Sequence, residues 1–253
     1  MTRTLLKAGA AVMCLAAAPA SAQDTLDFGA MSDDQKTAFG QAVRDYLMDN
    51  PQVIMDAVAV LEQQEAAAQD QNDKTLVETH RDALIDDGYS WVGGNPDGDF
   101  TIVEFMDYRC GYCRKAQPEV TELVENDGNI RLIVKEFPIL GDASTISSRF
   151  AIATKIVAGD EAYGQVHDAL IALEGNPTEA ALKRVADTLG LDGDAIMAEM
   201  GSEEITRRIN ETRALAQAMQ INGTPSFVFG DEMVRGYAPL AAMEQIVAMG
   251  RAE

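Results

Sequence analysis

A cysteine pair, Cys110 and Cys113, directly follows an apolar run in this chain. Residues 101–106 are rich in β-branched and aromatic side chains and predict a central strand, whereas residues 114–125 have helical character. The cysteines therefore lie at a strand-to-helix turn. At a helix start, free backbone N–H groups stabilise a thiolate on the first sulfur, and the second lies one turn inward. This spacing predicts Cys110 as nucleophile and Cys113 as resolving thiol.

Three basic residues, Arg109, Arg114 and Lys115, lie close to Cys110 in a chain whose net charge is −21. Positive charge favours a thiolate, but exposed charges act weakly in water, so a simple solvated face is the alternative for Arg114 and Lys115. The acidic composition excludes nucleic acid as a partner and disfavours anionic lipid surfaces, since both carry negative phosphates.

Other uses of the cysteine pair fit less well. A structural zinc site needs four ligands, and only His80 and His167 remain as histidines. Haem attachment requires a histidine where Arg114 stands. A static disulfide across two residues would constrain the unfolded chain little. We predict no metal and no organic cofactor, and keep one alternative: a periplasmic chaperone or copper-binding module that holds Cu(I) through the two soft thiolates.

The N-terminal residues are typical of an export signal. Two basic residues precede an apolar run over 8–18, and Ala20-Ser21-Ala22 has the pattern of a signal peptidase site. We expect a signal peptide over residues 1–22, cleavage near Ala22, and a periplasmic protein with no membrane anchor. Lipidation of Cys14 is the disfavoured alternative. The mature chain would then keep two cysteines, which suits a redox pair in an oxidising compartment.

The remaining patterns predict an α/β protein. Residues 23–88 are expected to form a helical extension, and residues 89–253 a second domain with a helical insertion at about 142–215. Within that domain, 130–137 predicts a strand covered on both faces, and 226–235 predicts a hairpin around Gly230-Asp231. A final helix is expected over 239–249.

The helical extension carries an apolar stripe that must be buried somewhere. A symmetric partner chain would bury it, so we predict an oligomerisation arm in a homo-dimer or homo-trimer, with packing onto its own domain as the alternative. The stripe consists of Phe39, Val43, Leu47, Ile54, Val58 and Leu61.

Taken together, the segment 101–113, the long helical stretch and the segment 223–227 resemble the DsbA-like thioredoxin-fold proteins, and the helical extension resembles the ScsC-type branch. The resemblance covers the chain from about Ser32 onward. It implies a thioredoxin-like fold, protein thiols of exported cysteine-containing proteins as substrates, and a membrane redox partner that recycles the pair. The direction of exchange, oxidase or isomerase, is not implied.

The resemblance also carries over individual residues. Glu104 matches the buried acid six residues before the first cysteine, where it would exchange protons with Cys113; an outward-facing carboxylate is the alternative. Pro225 matches the cis-proline, which would place the Thr224 backbone beside the active-site turn for pairing with an extended substrate. Gly111 and Tyr112 are expected to contact substrate. They replace the Pro-His dipeptide of the strongest oxidases, which predicts a lower oxidising power.

Overall fold

A computed structural model describes residues 28–252, so the predicted signal peptide and Cys14 lie outside the described residues. The chain divides into two units, Met1–Val60 and Leu61–Glu253. A short 3-10 turn, Phe28–Ala30, precedes the regular elements. These are α1 Asp33–Asp49, α2 Gln52–Thr79, α3 Arg81–Ile85, β1 Trp91–Gly94, β2 Phe100–Met106, α4 Gly111–Asp127, β3 Ile130–Glu136, α5 Asp142–Ala172, α6 Glu179–Thr188, α7 Gly193–Glu199, α8 Glu203–Ala218, β4 Ser226–Phe229, β5 Glu232–Arg235 and α9 Leu240–Gly250.

Helix α1 begins at a capping box. The Ser32 hydroxyl accepts the N–H of Gln35, and the Gln35 side chain accepts the N–H of Ser32. No side chain of α1 is buried, and in α2 the buried side chains are Asp73 and Val77, near its end. The apolar stripe of the extension is therefore largely exposed in the single chain.

The second unit contains a five-stranded sheet in the order β1-β3-β2-β4-β5. Strand β2 is central, as predicted: it pairs in parallel with β3 and antiparallel with β4. Strands β4 and β5 form the predicted hairpin around Gly230 and Asp231. This arrangement places the end of β2, from which the cysteine motif follows, in the middle of the sheet.

The side chains of β2 alternate between two apolar layers. Ile102 and Met106 pack with Val134 against α4, α5 and α9, whereas Val103 and Phe105 pack with side chains of α3 and α8. Coverage on both faces explains why β2 and β3 are almost continuously apolar. None of the described helices is long and apolar enough to cross a membrane.

Helices α5 to α8 occupy the stretch in which the sequence predicts a helical insertion. Helix α5 is interrupted in its interior, since Gly159 has φ 88° and ψ −174°. Glycine adopts such a conformation readily, whereas other residues rarely do. Gly159 therefore marks a kink between two helical segments that follow one another directly.

Two elements depart from the sequence expectations. Strand β1 was not predicted, because its four residues Trp91–Gly94 include two glycines and lack alternation; antiparallel pairing with β3 holds it at the sheet edge. The helix expected to end near Gly88 ends at Thr79 and is followed by the short α3.

Candidate active site

The cysteine motif lies at the junction between β2 and α4. Cys110 is the N-cap residue of α4, and Cys113 lies within the first turn. The carboxylate of Asp107 fixes the approach to the helix: it accepts the N–H of Arg109 at 2.8 Å and those of Ile139 and Leu140. Cys110 is 8% exposed and Cys113 1% exposed, so the first sulfur is the one a partner can reach.

The segment before β4 faces the first cysteine. The Cys110 thiol donates to the Thr224 carbonyl oxygen at 3.1 Å, and the Thr224–Pro225 peptide bond is cis. An open groove of about 560 Å³ runs beside this segment. Its lining consists of Gln69, Gln220, Asn222, Gly223, Thr224, Pro225, Ser226, Arg235 and Gly236. Polar groups of helix α2 and strand β5 thus flank the backbone next to the nucleophile.

Glu104 lies beneath the inner thiol. Its side chain is 2% exposed, so it points into the core rather than to solvent, and burial raises its pKa to about 8. Burial also raises the pKa of the Cys113 thiol well above its ordinary value, and the charge of Glu104 raises it further. The two groups are therefore close enough for the charge of Glu104 to disfavour ionisation of Cys113.

The outer surface of the motif is aromatic. Tyr112 is 62% exposed and stacks on Tyr237 with ring centroids 6.4 Å apart. The Tyr237 hydroxyl donates to Glu119 at 2.6 Å, which fixes this ring on α4. A Cβ on Gly111 would meet no atom within 4 Å other than those of its chain neighbours and of the backbone of its own helix. Gly111 and Tyr112 therefore present an open face beside Cys110.

The three basic residues near the motif are engaged elsewhere. Arg109 donates to the carbonyl of Gly175, and Arg114 donates to the carbonyls of Tyr108 and Leu173. Lys115 lies over the Tyr237 ring, 3.9 Å from its centroid. These contacts tie the start of α4 to the end of α5, so the arginines position the motif in addition to supplying charge.

A buried polar cluster that was not predicted from the sequence lies behind the motif. Tyr108 and Tyr163 donate to the same oxygen of Glu136, at 2.8 and 2.5 Å. The ring of His167 is hydrogen-bonded to Tyr108 at 3.2 Å and to Gln117 at 3.1 Å. The sequence feature that could have predicted this cluster is an acidic residue, Glu136, at the end of the largely apolar strand β3. Its tyrosine partners are distant in sequence and only the fold brings them together.

Among residues 28–252, no group of three or more His, Cys, Asp or Glu side chains could hold a metal ion. The two thiols of the motif are free in this structure, which is the dithiol state of the pair. The arrangement is that of a reachable thiol over a buried one, with a protonatable carboxyl below.

Residues 101–248, more than half of the chain, match the family described as "DSBA-like thioredoxin domain". The chain belongs to the DsbA-like thioredoxin family. Residues 35–68 match a second family, "Copper resistance protein ScsC N-terminal domain". The fold resemblance predicted from the sequence is thereby confirmed, including its ScsC-type extension.

Two solved structures agree with this assignment, and a curated relative with a different printed activity matches over part of its length. A thioredoxin-like oxidoreductase from Silicibacter pomeroyi DSS-3 is 40% identical, with a TM-score of 0.64, over 68% of this chain and 98% of that one. The thiol-disulfide exchange protein α-DsbA2 from Wolbachia pipientis is 26% identical, with a TM-score of 0.67, over 72% and 97%. The Na(+)/H(+) antiporter NhaA 3 of Salinispora tropica is 28% identical over 163 residues, 64% of this chain. The match spans a quarter of that antiporter.

Proposed function

We propose that this DsbA-like protein is a thiol–disulfide oxidoreductase that acts on protein thiols through Cys110 and Cys113. One observation carries the proposal: a reachable Cys110 at a helix start touches the Thr224 carbonyl, while Cys113 lies buried behind it over Glu104. This geometry separates a nucleophile from a resolving thiol. The names of the Silicibacter and Wolbachia relatives support the same chemistry.

In the oxidising direction, a substrate thiolate attacks Cys110 of the disulfide form. A bond forms between the substrate sulfur and Cys110, the Cys110–Cys113 bond breaks, and its electron pair leaves on Cys113. A second substrate thiolate then attacks the substrate sulfur, and Cys110 leaves as a thiolate. The substrate loses two electrons and the protein pair gains them.

Glu104 supplies and removes the proton of the inner cysteine. Because its pKa lies near 8, it is mostly protonated at neutral pH and can protonate Cys113 as that sulfur leaves. In the reverse step, the Cys113 thiol gives its proton to the Glu104 carboxylate before it attacks the mixed disulfide. The high pKa of Cys113 makes this base necessary.

The surface around Cys110 suits an extended polypeptide. The Thr224 backbone lies beside the sulfur at the start of β4, where a substrate segment can add as a strand. The exposed Tyr112 offers an apolar contact next to it. We therefore infer cysteine-containing exported proteins as substrates, a periplasmic location after cleavage of residues 1–22, and recycling by a membrane redox partner.

The extension is inferred to be an oligomerisation arm that gives a homo-dimer or homo-trimer with isomerase character. Val43, Ile54, Val58 and Leu61 are each at least 41% exposed in the single chain. Burying such side chains between copies would remove apolar surface from water. Several Cys110 sites could then act together on one misbridged substrate.

A copper-binding role for the same cysteines is the second candidate. It is favoured by the name of the family that matches residues 35–68 and by two soft thiols that lie close together. Tight Cu(I) binding by the reduced protein, lost in Cys110→Ser, would support this role.

The deciding experiment measures the reduction potential of the Cys110–Cys113 pair against glutathione, together with insulin reduction and refolding of scrambled ribonuclease. We expect equilibrium with glutathione in the range spanned by known oxidants and isomerases. Cys110→Ala is the control and should be inert. A wild-type protein that neither exchanges with glutathione nor acts on insulin or ribonuclease would contradict the proposal and leave copper binding.

A further inference from the structure

The end of helix α2 is docked on the β4–β5 hairpin, and the exchange steps above make no use of it. Val77 packs in the apolar layer that contains Met233 of β5. Asp73, four residues earlier, lies on the same side of the helix, where it is buried and paired with Arg235 at the end of β5. Lys74 adds an exposed ion pair with Asp231 at 3.6 Å. These contacts fix residues 73–77 of α2 on the hairpin.

The Asp73 carboxylate holds two side chains. Both of its oxygens accept hydrogen bonds from the Arg235 guanidinium, and the distance from Nη2 to Oδ1 is 2.9 Å. The side-chain amide of Gln69 donates to the same Oδ1 at 2.7 Å. The hydrogen bond with Arg235 holds the pKa of Asp73 below its ordinary value, so this carboxyl is charged at neutral pH. A two-point contact between a guanidinium and a carboxylate fixes orientation as well as distance. Asp73 therefore sets the positions of Gln69 and Arg235.

Gln69 and Arg235 both line the groove beside Cys110. Thr224 lines the same groove, and its carbonyl accepts from the Cys110 thiol at 3.1 Å. Arg235 pairs with Ser226 in the hairpin, two residues along the chain from Thr224. The groove therefore extends from the nucleophile to helix α2, where Gln69 is exposed to a ligand.

The side chains that line this groove are mostly polar. Gln69, Gln220 and Asn222 each present an amide, which can both donate and accept a hydrogen bond. The charge of Arg235 is balanced by Asp73. An extended polypeptide exposes one N–H and one C=O at each residue, and amide side chains can pair with both. The volume of about 560 Å³ lies within the range of ligand sites. The groove therefore fits the main chain of an extended segment better than it fits a charged ligand.

We propose that Gln69 binds the main chain of an extended polypeptide substrate in this groove, and that the Asp73–Arg235 ion pair holds Gln69 in place for it. The inference rests on the proposed function and names its substrate class: unfolded polypeptide segments, favoured over small thiols that touch Cys110 alone. Gln69 is a binding residue. Asp73 acts through Gln69 and Arg235 and is a positioning residue. Recognition is independent of the substrate's side chains, because every polypeptide has the same main-chain groups.

The test compares two dithiols as reductants of the disulfide form of the full-length protein: an unstructured peptide with two cysteines, and dithiothreitol. Single turnovers are stopped by acid and measured by mass spectrometry over a range of dithiol concentrations. Gln69→Ala should raise the half-saturating peptide concentration about threefold to tenfold, the effect of one lost hydrogen bond, and leave the limiting rate unchanged. Its rate with dithiothreitol should equal that of wild type. Gln71→Ala is the matched control, since Gln71 is exposed on the same helix outside the groove lining.

A second variant tests the positioning role. Asp73→Asn should raise the half-saturating peptide concentration at least as much as Gln69→Ala does, again without an effect on dithiothreitol. Combining the two substitutions should add little, because they disrupt one unit. Lys74→Gln is the control: it removes the neighbouring exposed ion pair and should leave the peptide reaction unchanged.

Three results would overturn the inference: an unchanged half-saturating concentration in Gln69→Ala, an equal rise in Gln71→Ala, or a proportional loss of rate with dithiothreitol. Additive effects of Gln69→Ala and Asp73→Asn would overturn the positioning of Gln69 by Asp73. A wild-type protein whose disulfide form is reduced by neither dithiol would instead contradict the proposed function.

Discussion

Replacing Glu104 with glutamine should change how the stability of the dithiol form depends on pH. Burial raises the folded-state pKa of this carboxyl from an ordinary 4.5 to about 8. The neutral acid therefore stabilises the fold fully below pH 4.5, and this contribution is lost as the pH rises through about 8. The two pKa values differ by about 3.5 pH units, and each unit corresponds to about 1.4 kcal/mol. The free energy of unfolding therefore falls by at most about 5 kcal/mol over this pH range. Glutamine cannot ionise and avoids this loss.

The assay is urea unfolding of wild type and Glu104→Gln at pH 5, 6, 7 and 8 under reducing conditions. Subtracting the two free energies of unfolding cancels the other titrating groups, including Glu136 and His167. We expect the variant to gain about 1.4 kcal/mol per pH unit relative to wild type. Glu203→Gln, on the exposed start of α8, is the matched control for replacing a carboxyl by an amide outside the core. A flat difference for Glu104→Gln would refute the buried, protonated state.

Three further predictions concern exchange and assembly. Cys113→Ala should accumulate mixed disulfides with protein substrates on non-reducing gels, whereas Cys110→Ala should trap none; equal trapping would reverse their roles. Glu104→Gln should slow resolution of the mixed disulfide about 100-fold in stopped flow and leave alkylation of Cys110 nearly unchanged, and an unaffected resolving step would remove Glu104 from the mechanism. Light scattering should show that the wild-type protein is an oligomer and that the double variant Val58→Glu/Leu61→Glu is dissociated. Gln63→Glu is the control and should remain an oligomer. A monomeric wild-type protein would contradict the proposed oligomerisation arm.

Local patterns in the sequence predicted the parts of the fold that depend on neighbouring residues. The run before Cys110 predicted β2, because strands covered on both faces share a continuous β-branched and apolar pattern. The start of α1 likewise depends on neighbouring residues, because the capping box at Ser32 closes within four residues. Edge strand β1 was missed, since its pairing with β3 and not its own residues makes it a strand.

The candidate site also contains features that the sequence predicts and features that depend on the tertiary structure. The spacing of Cys110 and Cys113 determined which sulfur lies at the helix start, because one helical turn fixes their relative positions. The family resemblance supplied Glu104 and Pro225. The packing of the folded chain makes the Glu104 side chain point inward, and it brings Thr224, 114 residues along the chain, into contact with the Cys110 sulfur.

The buried cluster around Glu136 depends entirely on the tertiary structure and could not be predicted from local sequence patterns. Its partners come from the loop after β2 and from helix α5, and their hydroxyls meet because the central sheet packs against that helix. A sequence records an acid in an apolar strand but not the depth to which folding buries it. Burial sets the pKa of Glu104 and of Glu136, and burial is a property of the packed layers rather than of any local run of residues.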